Sequence, residues 1–324
     1  MTRTLAGTNL RIPQLGVGTW AWGDKSTWGM GTYDSDLTEQ TIRDAWDACI
    51  ENGVTLFDTA EVYGKGESER IIGRLLKADA GRRNDILIAT KFMPMPWKLN
   101  VTSALVDAAK KSIDRMGIDK IDLYQLHGPI SLRGHGALAD AMAAAKQQGL
   151  IDGVGVSNYS AKETRSMAGE LEKRGLKLAS NQFELSLLRT APVTNGLVAT
   201  CAELDVTVLA YSPIGQGRLT GKYTAQNPPP GSRNFSAHPM ETVDAVVAVL
   251  RKIGDAHGRT PAQVALQWLI AKGAVPIPGA KNRKQAEDNA GGMGWSMTPA
   301  EIAELDGAGL DGIRNLQSRF WQHG

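Results

Sequence analysis

Short apolar segments alternate with amphipathic stretches along almost the whole chain, and this alternation constrains the fold more than any other feature. Eight apolar runs have the length of buried strands, at 15–18, 54–57, 86–90, 121–126, 153–157, 178–182, 206–211 and 274–277. Stretches of helical periodicity lie between them, including 38–52, 67–78, 101–116, 137–149, 160–174, 193–203 and 260–272. Repeated strand and helix units predict parallel pairing with right-handed crossovers.

Eight such units close more naturally as a barrel than as an open sheet, because the strands are uniformly apolar and no glycine fingerprint opens the first helix. Cap residues support three helix starts, namely Thr38 with Thr41, Ser160 with Glu163, and Thr260 with Pro261. The chain has 324 residues, which suits one barrel of about 250 residues plus insertions. We therefore predict an α/β fold, a (β/α)8 TIM barrel in a single domain over 1–324, with an N-terminal β-hairpin over 4–11 and extra C-terminal helices.

Composition and charge exclude several classes of function. The 36 Lys and Arg residues nearly balance 34 Asp and Glu, for a net charge of +2. This charge gives no electrostatic support for binding to nucleic acid or to an acidic membrane surface. No apolar run approaches the ~20 residues that cross a bilayer. Cys49 and Cys201 are the only cysteines and the histidines lack metal-ligand spacing, so we expect no disulfide and no metal. The N-terminal segment lacks the apolar core of a signal peptide, and we expect a cytoplasmic protein.

Ionisable residues follow three successive predicted strands. Asp58 and Tyr63 come after the second strand, Lys91 after the third and His127 after the fourth. Each of these residues alone would more often be structural, as a packed tyrosine, an ion pair or a hydrogen-bonded core histidine. Together they lie where a parallel barrel places its chemistry.

These four residues form a set that can protonate a carbonyl oxygen. A free phenol has a pKa near ~10, and a nearby ammonium lowers it, so Tyr63 is the candidate proton donor and Lys91 the charge that tunes it. Asp58 would keep a buried Lys91 charged. A neutral His127 would donate a hydrogen bond that orients the carbonyl. Because metal and flavin signals are lacking, a nicotinamide is the simplest hydride carrier.

Sequence motifs also identify a family resemblance that runs nearly from end to end. The segments 15–20, 57–64 and 277–280, together with Trp295, resemble those of the aldo-keto reductases. Within that family, 91–97, 221–223 and 287–295 are most similar to a plant and cyanobacterial branch that includes pyridoxal reductases. The resemblance implies an NADPH-dependent reductase with Asp58, Tyr63, Lys91 and His127 as its catalytic tetrad.

The resemblance further implies how NADPH is bound. Ser157, Asn158 and Gln182 would bind the carboxamide, and Tyr211 would stack on the ring. Other residues implied at the cofactor are Thr19, Trp20, Asp58, Ser212, Ile214, Gly215, Gly217, Gly279, Lys281, Arg283, Gln285, Asp288 and Asn289. Lys281 and Arg283 suit a 2′-phosphate, whereas Gln285 stands where some branches have an arginine. We interpret Lys284 as a solvent-exposed residue and exclude it from the cofactor site.

Two long irregular segments, 22–36 and 214–239, are predicted to lie over the mouth of the barrel. The predicted substrate pocket comprises Trp22, Trp28, Tyr33 and Trp97, and Phe320 and Trp321 would either reach over the mouth or be disordered. Candidate substrates are pyridoxal, aromatic aldehydes and methylglyoxal, and we expect a monomer or weak homo-oligomer. The alternatives are a cofactor-binding regulatory subunit, as in the potassium-channel β-subunits of the family, and an NADH-linked dehydrogenase of a sugar or polyol.

Overall fold

The predicted strands form one closed parallel barrel in the computed structural model, which describes residues 2–23, 37–229, 238–313 and 320–324. The strands are β1 (Arg3–Thr4), β2 (Arg11–Ile12), β3 (Gly16–Gly18), β4 (Leu56–Asp58), β5 (Leu87–Phe92), β6 (Ile121–Leu126), β7 (Ile151–Ser157), β8 (Leu178–Glu184), β9 (Thr207–Tyr211) and β10 (Ala274–Pro276). Strands β3 to β10 pair in chain order, each parallel to the next. A parallel bridge between Gly18 and Gly279 then closes the ring, which confirms the barrel.

Helices cover the outside of this barrel. They are α1 (Trp20–Gly23), α2 (Glu39–Glu51), α3 (Glu67–Ala78), α4 (Val101–Met116), α5 (His135–Gln147), α6 (Ala161–Glu172), α7 (Ala191–Thr194), α8 (Leu197–Glu203), α9 (Met240–His257), α10 (Pro261–Ala271), α11 (Arg283–Ala290) and α12 (Pro299–Ala308). The capping predictions at Thr38, Ser160 and Thr260 are confirmed, since each hydroxyl accepts from the backbone N–H three residues on. The predicted helix over 193–203 is divided, because Gly196 adopts a left-handed φ of 84° between α7 and α8.

The N-terminal hairpin closes one end of the barrel. Strands β1 and β2 pair antiparallel, with Arg3 opposite Ile12. Leu5 and Ile12 are buried and pack with the barrel interior, including Leu56 and Leu87 at the starts of β4 and β5. Since this plug fills the end where the strands begin, a ligand must enter from the end where they finish.

A second apolar core lies between the strands and the surrounding helices. Trp46 of α2 stacks on Phe57 of β4 with ring centroids 4.1 Å apart, and both side chains are fully buried. Burial of a large apolar side chain of this kind contributes about 1.5–3 kcal/mol. The core therefore fixes the outer face of β4, the strand that ends in Asp58.

Two further observations concern the described residues only. None of their helices is long and apolar enough to span a membrane. Their His, Cys, Asp and Glu side chains form no cluster of three that could hold a metal ion, and Cys49 and Cys201 are both buried free thiols.

Candidate active site

A buried ion pair lies at the carboxyl ends of β4 and β5. Lys91 is 0% and Asp58 2% exposed, and Lys91 Nζ donates to Asp58 Oδ1 at 2.5 Å and to the Thr59 carbonyl at 2.7 Å. The second carboxylate oxygen accepts from the amides of Gln125 at 3.1 Å and Gln182 at 2.8 Å. Burial lowers the pKa of Lys91, and the charge of Asp58 opposes that shift. The pair thus holds a cation away from water.

The hydroxyl of Tyr63 lies beside this cation. Tyr63 begins a 3₁₀ turn, Tyr63–Gly66, shortly after β4. Lys91 Nζ is 3.4 Å from Tyr63 Oη and 5.0 Å from the centre of the ring. The turn requires Gly64, since its φ is +58° and a Cβ there would overlap the carbonyl oxygen of Gly23. The local backbone therefore holds the phenol against the ion pair.

An imidazole completes this group. His127 directly follows β6, its backbone N–H donates to the carbonyl of Phe92 at 2.8 Å, and its ring meets that of Tyr63 edge-on with centroids 5.6 Å apart. Burial, reinforced by the charge of Lys91, holds the pKa of His127 well below its usual value. Nδ1 has no hydrogen-bond partner among the described residues, so we assign the proton of the neutral ring to Nε2, because this tautomer avoids an unpaired buried N–H.

These residues lie at one end of a cavity of about 730 Å³ at the open end of the barrel. Most of the side chains predicted at the cofactor or the reacting carbonyl line it: Trp20, Asp58, Tyr63, His127, Ser157, Asn158, Gln182, Tyr211, Ser212, Ile214, Gly217, Gly279, Lys281, Gln285, Asp288 and Asn289. Lys91 stands behind Asp58 and Tyr63. The barrel thus brings residues from all parts of the sequence to one cavity.

Polar side chains from the ends of β7, β8 and β9 form one wall of the cavity. Tyr211 Oη donates to Asn158 Oδ1 at 2.9 Å, and Asn158 Nδ2 donates to Ser157 Oγ at 3.1 Å. Burial raises the pKa of Tyr211, with Glu184 adding to the shift, so its hydroxyl stays protonated and acts as a donor. The wall is therefore ordered by hydrogen bonds among its own groups.

Three of the predicted cofactor residues do not line the cavity. Thr19 is buried behind Asp58 and donates its hydroxyl to the Asp58 carbonyl at 2.9 Å. Gly215 is buried at the start of the turn Gly215–Thr220, and Gln216, Gly217 and Thr220 of this turn line the cavity. Arg283 lies on the outer surface, where its guanidinium binds Glu51 at 2.7 Å and a second carboxylate on α11. Arg283 therefore lies away from the cavity in this arrangement, and its contact with the cofactor stays a prediction, since an exposed ion pair holds a side chain only weakly.

Two of the predicted substrate tryptophans lie away from the cavity. Trp22 is 1% exposed, and its indole N–H donates to the Ala280 carbonyl at 2.7 Å, so it belongs to the core and not to the cavity. Trp97 is 70% exposed and does not line the cavity. Trp28 and Tyr33 lie outside the described residues, as does part of each long segment predicted over the mouth.

Several lining residues are not among the predicted cofactor or substrate residues. They are Gln216, Thr220, Lys222, Tyr223, Ala262 and Trp321. The first four belong to the segment 214–239, which is predicted to lie over the mouth because it follows the seventh barrel strand, and Trp321 takes the first of its two predicted positions, over the mouth. Trp321 lies beside His127, with ring centroids 5.5 Å apart. A contact so distant in sequence gives no local pattern.

A protonated phenol, a buried cation and a neutral imidazole around one point can stabilise negative charge on an oxygen and then protonate it. The cavity extends from this point to Lys281, which gives space for a long ligand. The arrangement suits addition of hydride to a carbonyl group.

Comparisons with known proteins agree with this chemistry. Pyridoxal reductase, chloroplastic, of Arabidopsis thaliana is 34% identical over 97% of this chain and 87% of its own. An NADP(+)-designated aldo-keto reductase of Schizosaccharomyces pombe is 31% identical over 78% of both chains. The solved glycerol dehydrogenase of Gluconobacter oxydans superposes with a TM-score of 0.79 at 25% identity, covering 100% of this chain and 97% of that one. Since the sequence model of the Aldo/keto reductase family matches residues 14–309, the chain belongs to that family of oxidoreductases.

Proposed function

We propose that this protein reduces aldehydes and ketones to alcohols with NADPH and uses Tyr63 as the general acid. The supporting observation is the position of the Tyr63 hydroxyl, 3.4 Å from the Lys91 ammonium and next to a neutral imidazole at one end of the cavity. The reverse oxidation would use the same residues by microscopic reversibility.

Each residue of the group has a defined role in this proposal. The carbonyl oxygen of the substrate accepts hydrogen bonds from Tyr63 Oη and His127 Nε2. As the carbonyl carbon gains a hydride, its oxygen becomes negative and takes the proton of Tyr63. Lys91 stabilises the phenolate that remains, and Asp58 holds the ammonium in place.

NADPH, when bound, supplies the hydride, and the cavity has the groups to hold it. Amide and hydroxyl groups of Ser157, Asn158 and Gln182 suit a carboxamide, and the ring of Tyr211 offers a flat apolar surface. Lys222 and Lys281 also line the cavity and suit phosphate groups.

The activity is tested by following the loss of NADPH absorbance with pyridoxal, methylglyoxal and nitrobenzaldehyde. Turnover that depends on the aldehyde supports the proposal, and the rates of NADPH loss with the three compounds rank the substrate classes. If NADPH binds but no carbonyl is reduced, the regulatory-subunit alternative replaces it.

Lys281→Met is expected to raise the KM for NADPH about tenfold and the KM for NADH less than about twofold. Lys281 is half-buried on the cavity, and a contact to the 2′-phosphate worth about 1.4 kcal/mol gives a tenfold change. Steady-state kinetics with both cofactors measure the two effects. The matched control is Lys284→Met, on the exposed side of the same turn. Equal changes in the KM values for NADPH and NADH would show that Lys281 does not recognise the 2′-phosphate.

We propose aromatic aldehydes, with pyridoxal foremost, as the substrate class. Trp20 and Trp321 both line the cavity, and the Trp321 ring lies next to that of His127. Flat apolar walls favour an aromatic ring by contact and stacking. The name of the Arabidopsis relative agrees with this choice.

Trp321→Leu is expected to raise the KM for nitrobenzaldehyde and pyridoxal about three- to tenfold, because an aromatic contact contributes about 0.5–1.5 kcal/mol. Methylglyoxal has no ring, so its KM should change less. Phe320→Leu is the control, since Phe320 is adjacent on the chain but 70% exposed. A uniform rise for all three substrates would contradict a specific aromatic contact.

We further propose that the chain forms a single domain, is cytoplasmic, and is a monomer or weak homo-oligomer. Gel filtration with light scattering measures the oligomeric state. Imaging of the tagged full chain in its native host tests the location, which matters because the Arabidopsis relative is named as chloroplastic.

A further inference from the structure

The C-terminal residues 320–324 contact the polar wall of the cavity. The amide nitrogen of Gln322 donates to Tyr211 Oη at 2.9 Å and to Glu184 Oε2 at 2.7 Å. Tyr211 and Asn158 belong to the cavity wall, whereas Gln322 stands behind them and is half-buried. A residue far along the chain is thus hydrogen-bonded to the site without lining it.

The partners of Gln322 determine which way its amide faces. Glu184 is 3% exposed and lies 3.9 Å from the guanidinium of Arg189. A carboxylate only accepts hydrogen bonds, so the amide nitrogen of Gln322 must face Glu184. The second N–H of that nitrogen then points to Tyr211 Oη.

The orientation of the Gln322 amide determines how the next groups along the wall are oriented. Because Tyr211 Oη accepts from Gln322, its own proton is directed to Asn158 Oδ1 at 2.9 Å. The Asn158 amide is thereby oriented so that its nitrogen donates to Ser157 Oγ at 3.1 Å, and that hydroxyl donates to the carbonyl of Gln182 at 2.9 Å. Each step fixes which end of the next group donates.

A separate contact orients the next group along the wall. The side-chain amide of Gln182 donates to Asp58 Oδ2 at 2.8 Å, and Asp58 binds Lys91. The series from Gln322 ends at the backbone carbonyl of Gln182, which can only accept, so the donor and acceptor pattern that depends on Gln322 is the one from Tyr211 to Ser157.

Other contacts hold the C-terminal residues in place. The backbone N–H of His323 donates to the Asn158 carbonyl at 3.1 Å, and its ring lies 2.9 Å from Glu163. Arg189 donates to the carbonyl oxygen of Gly324, which is buried. Loss of the Gln322 amide alone should consequently leave this segment docked, so that the role of the amide can be tested separately.

We propose that Gln322 is a positioning residue for cofactor binding, which acts through the Tyr211 hydroxyl to orient the Asn158 amide. This inference rests on the proposed function for its consequence, because the oriented wall is where the carboxamide of NADP(H) would bind. It adds to that function a residue that touches neither cofactor nor substrate.

The test is a double-mutant cycle with Gln322→Met and Tyr211→Phe, read as the dissociation constant of NADP⁺ by calorimetry. Gln322→Met keeps the length of the side chain and removes its amide, and it is expected to weaken binding about fivefold to tenfold, as a hydrogen-bond contribution of about 1 kcal/mol implies. In the Tyr211→Phe background the same change should have less than about a twofold effect. Gln147→Met, on the exposed surface of α5, is the control.

Two outcomes overturn the proposal. One is an equal loss of affinity in both backgrounds, which would mean that Gln322 acts through packing and not through the Tyr211 hydroxyl. The other is no loss in either. Gln322→Glu, which places a carboxylate against Glu184, should weaken binding more than Gln322→Met, and the melting temperature identifies any variant that fails to fold.

A spectroscopic measurement without cofactor separates this inference from the proposed function. The ¹⁵N side-chain amide resonance of Asn158, assigned through Asn158→Asp, should move in Gln322→Met and stay in place in Gln147→Met. If the native protein neither binds NADP(H) nor reduces aldehydes, the proposed function fails, and the resonance still decides whether Gln322 orients Asn158. An unmoved resonance contradicts the positioning role.

Discussion

Tyr63→Phe is expected to lower kcat/KM for aldehyde reduction by at least about a hundredfold, within the range that a general acid contributes. Phenylalanine keeps the ring that meets His127 at a centroid distance of 5.6 Å and removes only the hydroxyl beside Lys91. The loss should appear mainly in kcat, because proton transfer is a transition-state contribution. NADP⁺ affinity, measured by calorimetry, should change less than about threefold, because Tyr63 is not among the groups proposed to hold the cofactor.

The control for this experiment is Tyr159→Phe. Tyr159 is fully buried, and its hydroxyl has no hydrogen-bond partner within the part of the chain that the structure describes. Removing an unpaired buried hydroxyl should be neutral or slightly stabilising. If Tyr63→Phe and Tyr159→Phe turn over equally fast, Tyr63 is not the proton donor and the proposed mechanism is wrong.

The fold could be predicted from the chain because its local signals agree with its global arrangement. The strand predicted over 121–126 matches β6, and the helix predicted over 101–116 matches α4. Helix α9 was not among the predicted helices. It follows 214–239, the segment predicted to be irregular, and single-sequence patterns give the weakest guidance in such regions.

The candidate site was predictable where its residues end strands. Asp58, Lys91 and His127 occupy positions that the barrel must bring together, so their sequence context is enough to place them. Trp22 and Arg283 lie away from the cavity for a different reason. Their side chains are directed by partners remote in sequence, the Ala280 carbonyl and the Glu51 carboxylate, and no local pattern reports such partners.

Trp321 and Gln322 also depend on partners that are remote in sequence. No strand or helix pattern in the sequence locates them, and their proposed roles depend on contacts with His127 and Tyr211. The proposed roles of these residues in specificity and positioning thus rest on long-range contacts, which local sequence patterns do not show.

Lys91→Met is expected to reduce kcat/KM about a thousandfold and to lower the free energy of unfolding by about 3–5 kcal/mol. Activity falls because the phenolate of Tyr63 loses the cation that stabilises it. Stability falls because the substitution leaves the Asp58 carboxylate, 2% exposed, without its counter-ion. Denaturant unfolding and NADPH kinetics measure the two effects. The exposed pair of Lys252 with Glu304, at 2.8 Å, provides the control, since Lys252→Met should cost less than about 1 kcal/mol.

A second substitution separates the structural effect of Lys91 from its catalytic effect. Asn at position 58 keeps an oxygen for the amides of Gln125 and Gln182 and carries no charge, so Asp58→Asn in the Lys91→Met background should recover much of the lost stability. Activity should stay low, because the neutral pair cannot stabilise a phenolate on Tyr63. Recovery of both stability and activity would mean that Lys91 serves only to balance the charge of Asp58. The proposed chemistry requires that stability return alone.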